Sequence, residues 1–305
     1  MAISATQLLK NVTQSKRKVL IACCVFLVLA AAVTAVFLSR TSQNDSSELR
    51  QNIAQMEKAV KSDPHNADLR VALALGYYQA DSLQQAISQL KTALDFNQNH
   101  QSALMLLGDI YMNLKRYPEA QACYQKLVEL NPIEQMTFSS RQIEGAYYQL
   151  GAANYNMGNW TGAAAVLEST LIIDNSDSDA WYLLGKSYQK LEQFEKAVEC
   201  FRKTVRYVPN YKEAYQSMGE CFEKLGQDVY ARYAKAMVAY SSGSTQEALT
   251  QLQIITAEKP DYTDAVLGLA LAYEKAGDTD KAKAAYEKVL ELDPEDWLAK
   301  AKLGR

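Results

Sequence analysis

Histidine is almost missing from these 305 residues: His65 and His100 are the only two. Imidazole chemistry, whether general acid–base or metal-ligating, therefore has little to be built from. Both fall just past the end of an apolar-periodic stretch, which is the place of a solvated turn residue. The chain also lacks HExxH, GxSxG and a glycine-rich phosphate loop, and no His, Cys or carboxylate spacing suits a metal ion. Its 5 cysteines form no disulfide framework. Cys23 and Cys24 lie in an apolar run, while Cys123, Cys200 and Cys221 sit singly on helical faces, as buried free thiols do. A strong basic surplus is absent too, since the formal net charge is -3. Lys10, Lys16, Arg17, Lys18 and Arg40 stand among residues 1–44 without a single acid, so the remainder carries -3 - 5 = -8. That balance argues against a nucleic-acid partner. Acidic residues are plentiful, but Glu195, Glu199, Glu287 and Glu291 take helical surface spacing beside lysines, the pattern of a solvated face. No catalytic residue, metal, cofactor or small-molecule substrate is implied.

What is present is periodicity. In Ala180 to Pro209, Trp181, Leu184 and Tyr188 fall at i, i+3 and i+7, and then Ala197, Phe201 and Val205 recur every four residues. Two short helices follow each other, each with one apolar face too narrow to be buried alone. Gly185 and Ala197 are small where their neighbours are large, which allows close approach, and Pro209 has no N–H with which to continue a helix. Leu-Gly returns as Leu107-Gly108, Leu150-Gly151 and Leu184-Gly185, followed by Met218-Gly219, at spacings of 34 residues or 34 plus a remainder. Ala86, Ala120, Ala163, Ala197, Ala248 and Ala282 open the second helices. This pattern resembles the tetratricopeptide repeat, whose signature over about 34 residues is met in Trp181, Leu184, Gly185, Tyr188, Ala197, Phe201 and Pro209. The resemblance covers roughly Ser47 to Arg305 and implies an all-α, right-handed superhelical solenoid of about seven helical-hairpin units.

The repeat domain, 48–305, has three irregularities. Gly108 to Gly151 spans 43 residues, so 133–142 is an insertion, with Ser139 and Gln142 spaced as a capping box. Pro209 to Pro260 spans 51 residues, one and a half periods. Residues 229–241 must therefore serve as second helix of one unit and first helix of the next. Because units touch only neighbours, such a break is expected to uncouple the two sides. Glu48 to Pro64 matches only a second helix, and 296–305 only the start of a first helix, as caps do.

Ahead of the repeats, Val19 to Leu38 is an uncharged stretch of 20 residues, enough for a transmembrane helix. The basic segment 1–18 before it places the N-terminus in the cytoplasm and the repeats outside, in a single-pass protein of the cell membrane. Leu20-Ile21-Ala22-Cys23 looks like a lipoprotein box, but its apolar run lies on the wrong side. Cleavage near Ala35 is the remaining alternative to a retained anchor, although the run exceeds an ordinary signal core. Residues 39–47 are a polar linker.

Taken with the missing chemistry, the resemblance implies a membrane-anchored interaction scaffold or adaptor with a protein or peptide partner, in cell-envelope assembly or secretion. The alternative is a substrate-recruiting, non-catalytic subunit of a membrane enzyme. In the family, one face of the first helices lines a concave groove. The matching positions are Val71, Leu75 and Tyr78; Met105, Asp109 and Met112; Tyr148, Ala152 and Tyr155; and Tyr182, Lys186 and Gln189. They could pack only against adjoining first helices, or hold a peptide anchored on Tyr148, Tyr155 and Tyr182. Farther on the stripe turns acidic at Glu213, Glu220 and Glu223, which suits a ligand with a basic end. The Lys, Asn and Arg clamp of chaperone-tail-binding members is missing, since Val71, Leu75, Met105, Tyr148 and Ala152 stand there.

Overall fold

The computed structural model describes residues 47–133 and 141–305. The apolar run 19–38, the basic segment before it, nearly all of the linker after it and most of the 133–142 insertion lie outside the described residues. Among the described residues no helix is long and apolar enough to cross a membrane, and there is no strand. The helices fall in two compact units, up to Ala103 and from Leu104. The first holds α1 (47–62), α2 (Ala67–Gln79) and α3 (Leu83–Phe96). Next come α4 (Gln101–Asn113), which begins at the division, α5 (Tyr117–Leu130), α6 (Arg141–Asn156) and α7 (Trp160–Ile173). The second unit continues with α8 (Ser178–Lys190), α9 (Phe194–Tyr207), α10 (Lys212–Lys224) and α11 (Asp228–Ser241). It closes with α12 (Thr245–Glu258), α13 (Thr263–Ala276), α14 (Thr279–Leu292) and α15 (Trp297–Lys302).

Backbone geometry at the helix ends tells first helices from second ones. After α8, the Gln193 N–H donates to the Tyr188 carbonyl at 2.9 Å, and Glu192 between them is left-handed with φ 58°. This is a Schellman end, which satisfies carbonyls that the helix leaves open. The same left-handed turn recurs at Asp81, Lys115, Gly158, Glu192, Gly226, Gly243 and Gly277. Successive intervals are 34, 43, 34, 34, 17 and 34 residues. Second helices end differently, in extended residues such as Asn97, Asp174 and Asp293. Helix α11 starts after the Gly226 turn, as second helices do, and stops at the Gly243 turn, as first helices do. It packs on both α10 and α12.

Within each hairpin a small residue admits a large one. A Cβ added to Gly185 would stand 2.6 Å from the Phe201 ring, and one on Gly108 would stand 2.7 Å from Tyr124. Phe201 and Tyr124 are fully buried. Burial of a ring this size contributes about 3 kcal/mol. The three described cysteines, Cys123, Cys200 and Cys221, are buried, and Cys200 and Cys221 are free thiols. Burial pushes the Cys200 and Cys221 thiols up to about 12, with Glu199 and Glu220 nearby adding to the effect.

An ion cluster joins residues from the two sides of the half-period. Arg202 on α9 donates from Nε to Asp264 Oδ2 at 2.7 Å, and Arg206 donates to Asp264 Oδ1 at 3.2 Å. Arg206 also pairs with Asp296, whose side chain is wholly inaccessible to solvent. Asp264 belongs to the first turn of α13 and Asp296 caps α15, accepting from the Ala299 N–H at 2.8 Å. Tyr207 and Trp297 stack beside them with ring centroids 6.0 Å apart. The expected uncoupling is thus opposed by an ion cluster that bypasses α11 and α12. His100 departs from expectation as well: its Nδ1 accepts from the Ala103 N–H at 3.3 Å and its Nε2 lies 3.0 Å from Asp68. It caps a helix start and is not a free turn residue.

Candidate functional site

The candidate residues of the second unit sit on α4, α6 and α8, the first helices of their hairpins. On α8 they are linked sideways to α10. Tyr182 lies 5.0 Å from the Tyr211 ring and 5.8 Å from Phe201, centroid to centroid. Lys186 Nζ donates to Gln189 Oε1 at 2.7 Å and reaches Ser217 Oγ at 3.4 Å. Gln189 Nε2 donates to Glu220 Oε2 at 2.8 Å. Tyr148, Tyr155, Tyr182, Lys186 and Gln189 are all half-buried, whereas Ala152 is buried. Lateral packing and an accessible face therefore coexist in the same side chains.

Electrostatics shows which acids are near these rings. Burial raises the phenol pKa of Tyr148, and Asp179 and Asp177 raise it further. Tyr155 is raised by burial and by Tyr182. Tyr182 is raised by burial and by Glu213 and Glu220, against a hydrogen bond with Ser217 that lowers it. All these phenols stay protonated near neutrality, so they offer ring faces and hydroxyl groups, not charge.

Other candidates are placed differently. Asp109 accepts the Tyr124 hydroxyl at 2.7 Å, which commits its carboxylate to the α4–α5 hairpin, and burial raises its pKa. Met105 and Met112 are half-buried on the same helix. Val71, Leu75 and Tyr78 belong to α2 in the first unit, where Leu75 is 44% exposed and the other two are half-buried. Tyr211 escaped sequence reasoning because it is the N-cap residue of α10 and so lies off the helical stripe. Among the described residues no group of three or more His, Cys, Asp or Glu could hold a metal ion.

Family models described as "Tetratricopeptide repeat" match residues 145–171, 178–211, 233–296 and 269–305. The chain is a tetratricopeptide repeat protein. A further model, described as "Anaphase-promoting complex, cyclosome, subunit 3", matches 45–127. Protein bimA of Emericella nidulans is 23% identical over 260 residues, 84% of this chain and 28% of that protein. The cytochrome c-type biogenesis protein CycH of Rhizobium meliloti is 29% identical over 138 residues, 44% of this chain and 32% of CycH. The chain thus spans under a third of the length of either relative. In structure, the chain is similar to the C-terminal part of a repeat-containing protein from Cytophaga hutchinsonii, with TM-score 0.53 and 20% identity over 85% of this chain and 96% of that one. That likeness extends the repeat fold across the two irregular spacings.

Proposed function

We propose that this tetratricopeptide repeat protein is a membrane-anchored scaffold that works by binding and not by catalysis. In this reading Val19 to Leu38 crosses the membrane, residues 1–18 face the cytoplasm, and the repeats stand outside it and serve cell-envelope assembly or secretion. Its similarity to CycH, a protein named for cytochrome c biogenesis, supports the envelope setting. A peptide segment of a partner protein lies along the first helices, with Tyr148, Tyr155 and Tyr182 as anchors. The observation that carries this is the half-burial of those rings: each is held by its neighbours yet keeps an open face. Fixed aromatic surface of this kind gives contact area at low entropic cost, and such residues dominate interface energies.

Two measurements test the proposal. Tyr155→Ala together with Tyr182→Ala should weaken binding of a partner recovered by crosslinking in native membranes by about 2 kcal/mol, with unchanged helical content. Retained affinity, or unfolding of the double variant, gives the residues to packing alone. The topology is tested by protease added after only the outer barrier of the cell is opened. Digestion of the repeats supports the orientation, and their protection alongside a cytoplasmic marker refutes it.

A further inference from the structure

The tyrosine face on α8 and α10 carries a rim of one sign. Asp179, Glu213 and Glu220 are all exposed. Each is close enough to a ring of the face to bear on it: Asp179 accepts the Tyr211 hydroxyl at 3.2 Å, and Glu213 and Glu220 act on Tyr182. The cations on this face are fewer. Lys186 is held by Gln189 and Ser217, and Lys212 is half-buried at the start of α10. Tyrosine faces attract cations through the ring quadrupole, and carboxylates at the rim of the same surface add Coulombic attraction. An acidic or neutral peptide would gain the ring contacts and meet repulsion or nothing from the rim.

Resting on the groove reading above, we infer that the occupant of this face is a basic peptide segment, with a lysine or arginine side chain laid over Tyr182 and Tyr211 between Asp179 and Glu213. The partner chemistry is thus opposite in sign to the acidic tails that a lysine and arginine clamp would take. Tyr211 forms the floor, since its hydrogen bond to Asp179 on the rim fixes the ring that the cation covers. Glu220 is already joined to Gln189 and extends the acidic rim toward the C-terminal end of α8.

The test uses the full chain in detergent and a labelled peptide in which lysine alternates with alanine, beside counterparts carrying glutamine or glutamate in place of lysine. The lysine peptide should bind about tenfold more tightly than the glutamine one, and the preference should shrink as salt is raised past the screening range. Glu213→Gln with Glu220→Gln should remove most of that preference, while Glu287→Gln with Glu291→Gln on α14 leaves it intact. Equal binding of the lysine and glutamine peptides overturns the cationic occupant and leaves the groove reading standing. A loss as large in the α14 variant overturns it too, because the attraction would then be diffuse. If none of the peptides binds, both readings fall.

Discussion

The α8–α9 hairpin and helix α11 make an instructive pair, because their residues are of the same kind and their places in the stack are not. Helix α8 is a first helix by both ends: it starts from the Asp177 cap and finishes in the left-handed turn at Glu192. Helix α9 is a second helix, ending without a left-handed turn at Val208, where φ is -127° and ψ is 85°. Helix α11 takes its beginning from one class and its end from the other. It buries Tyr233, Ala234, Ala236, Met237 and Tyr240, an apolar set no stranger than that of α9. Which role a helix plays is therefore decided by the turns that bracket it and the neighbours they bring. A stripe only requires that some neighbour be there.

The largest effect is expected inside the regular hairpin. Phe201→Ala removes the ring that fills the space left by Gly185, and it should cost about 4 kcal/mol in denaturant unfolding, because a ring-sized cavity between two fixed helices cannot collapse. A loss near 1 kcal/mol would show that the helices close over the gap and that the glycine contact is loose. The comparison with α11 is broken next by Arg206→Met. This leaves the buried Asp296 without its cation and Asp264 with Arg202 alone, at a cost of about 3 kcal/mol. Hydrogen exchange should rise in α13 and α15 together with α9. If α9 alone is affected, the half-period uncouples its two sides as the spacing suggests, despite the ion cluster.

Next in size is an effect of pH. Cys200 and Cys221 have thiol pKa values raised to about 12 by burial, so the folded state favours the protonated form. Unfolded thiols ionise first, near pH 8.5, so their stabilising contribution is complete below that pH and is lost as pH climbs toward 12. By roughly pH 9 the pair should cost about 2 kcal/mol, and replacing both by Ala should flatten that part of the pH profile. A thiol reagent at pH 8 should label them only at the rate of global or subglobal opening. Fast labelling of the native chain would mean that the α9–α10 contact opens on its own.

Much of this architecture is written locally. Helical stripes, small residues facing large ones and turn glycines at Gly158, Gly226, Gly243 and Gly277 are set by short-range sterics, so they can be read from neighbours in the chain. The Arg202, Arg206, Asp264 and Asp296 cluster is not local. Its partners are separated by 58 residues or more, and they meet only because α11 and α12 fold between them. Arginines at i and i+4 on α9 look like any solvated pair until that happens. At the candidate face the aromatic stripe of α6 and α8 was visible as spacing, but Asp109 turns out to serve Tyr124. Tyr211 and Asp179 contribute from cap and first-turn positions that no stripe includes.

The smallest expected effect sharpens the comparison at the turns themselves. Asp81, Lys115 and Glu192 occupy the left-handed position that Gly226 and Gly243 occupy around α11, and all three are exposed. A residue with a Cβ pays roughly 1 kcal/mol to be left-handed, while glycine gives up extra freedom in the unfolded chain. Lys115→Gly and Glu192→Gly should therefore each stabilise the protein by about 0.5 kcal/mol. Gly226→Ala and Gly243→Ala should each cost about 1 kcal/mol, although a Cβ at either meets no atom within 4 Å. Since space is not the issue there, a loss can come only from the backbone. Thermal unfolding of the four variants separates the cases. Gains at the two non-glycine turns with losses at the two glycines would make the left-handed turn the common device that ends first helices and α11 alike. If Glu192→Gly destabilises, its exposed side chain contributes to that turn in a way the α11 turns do not share, and the two regions differ in more than helix count.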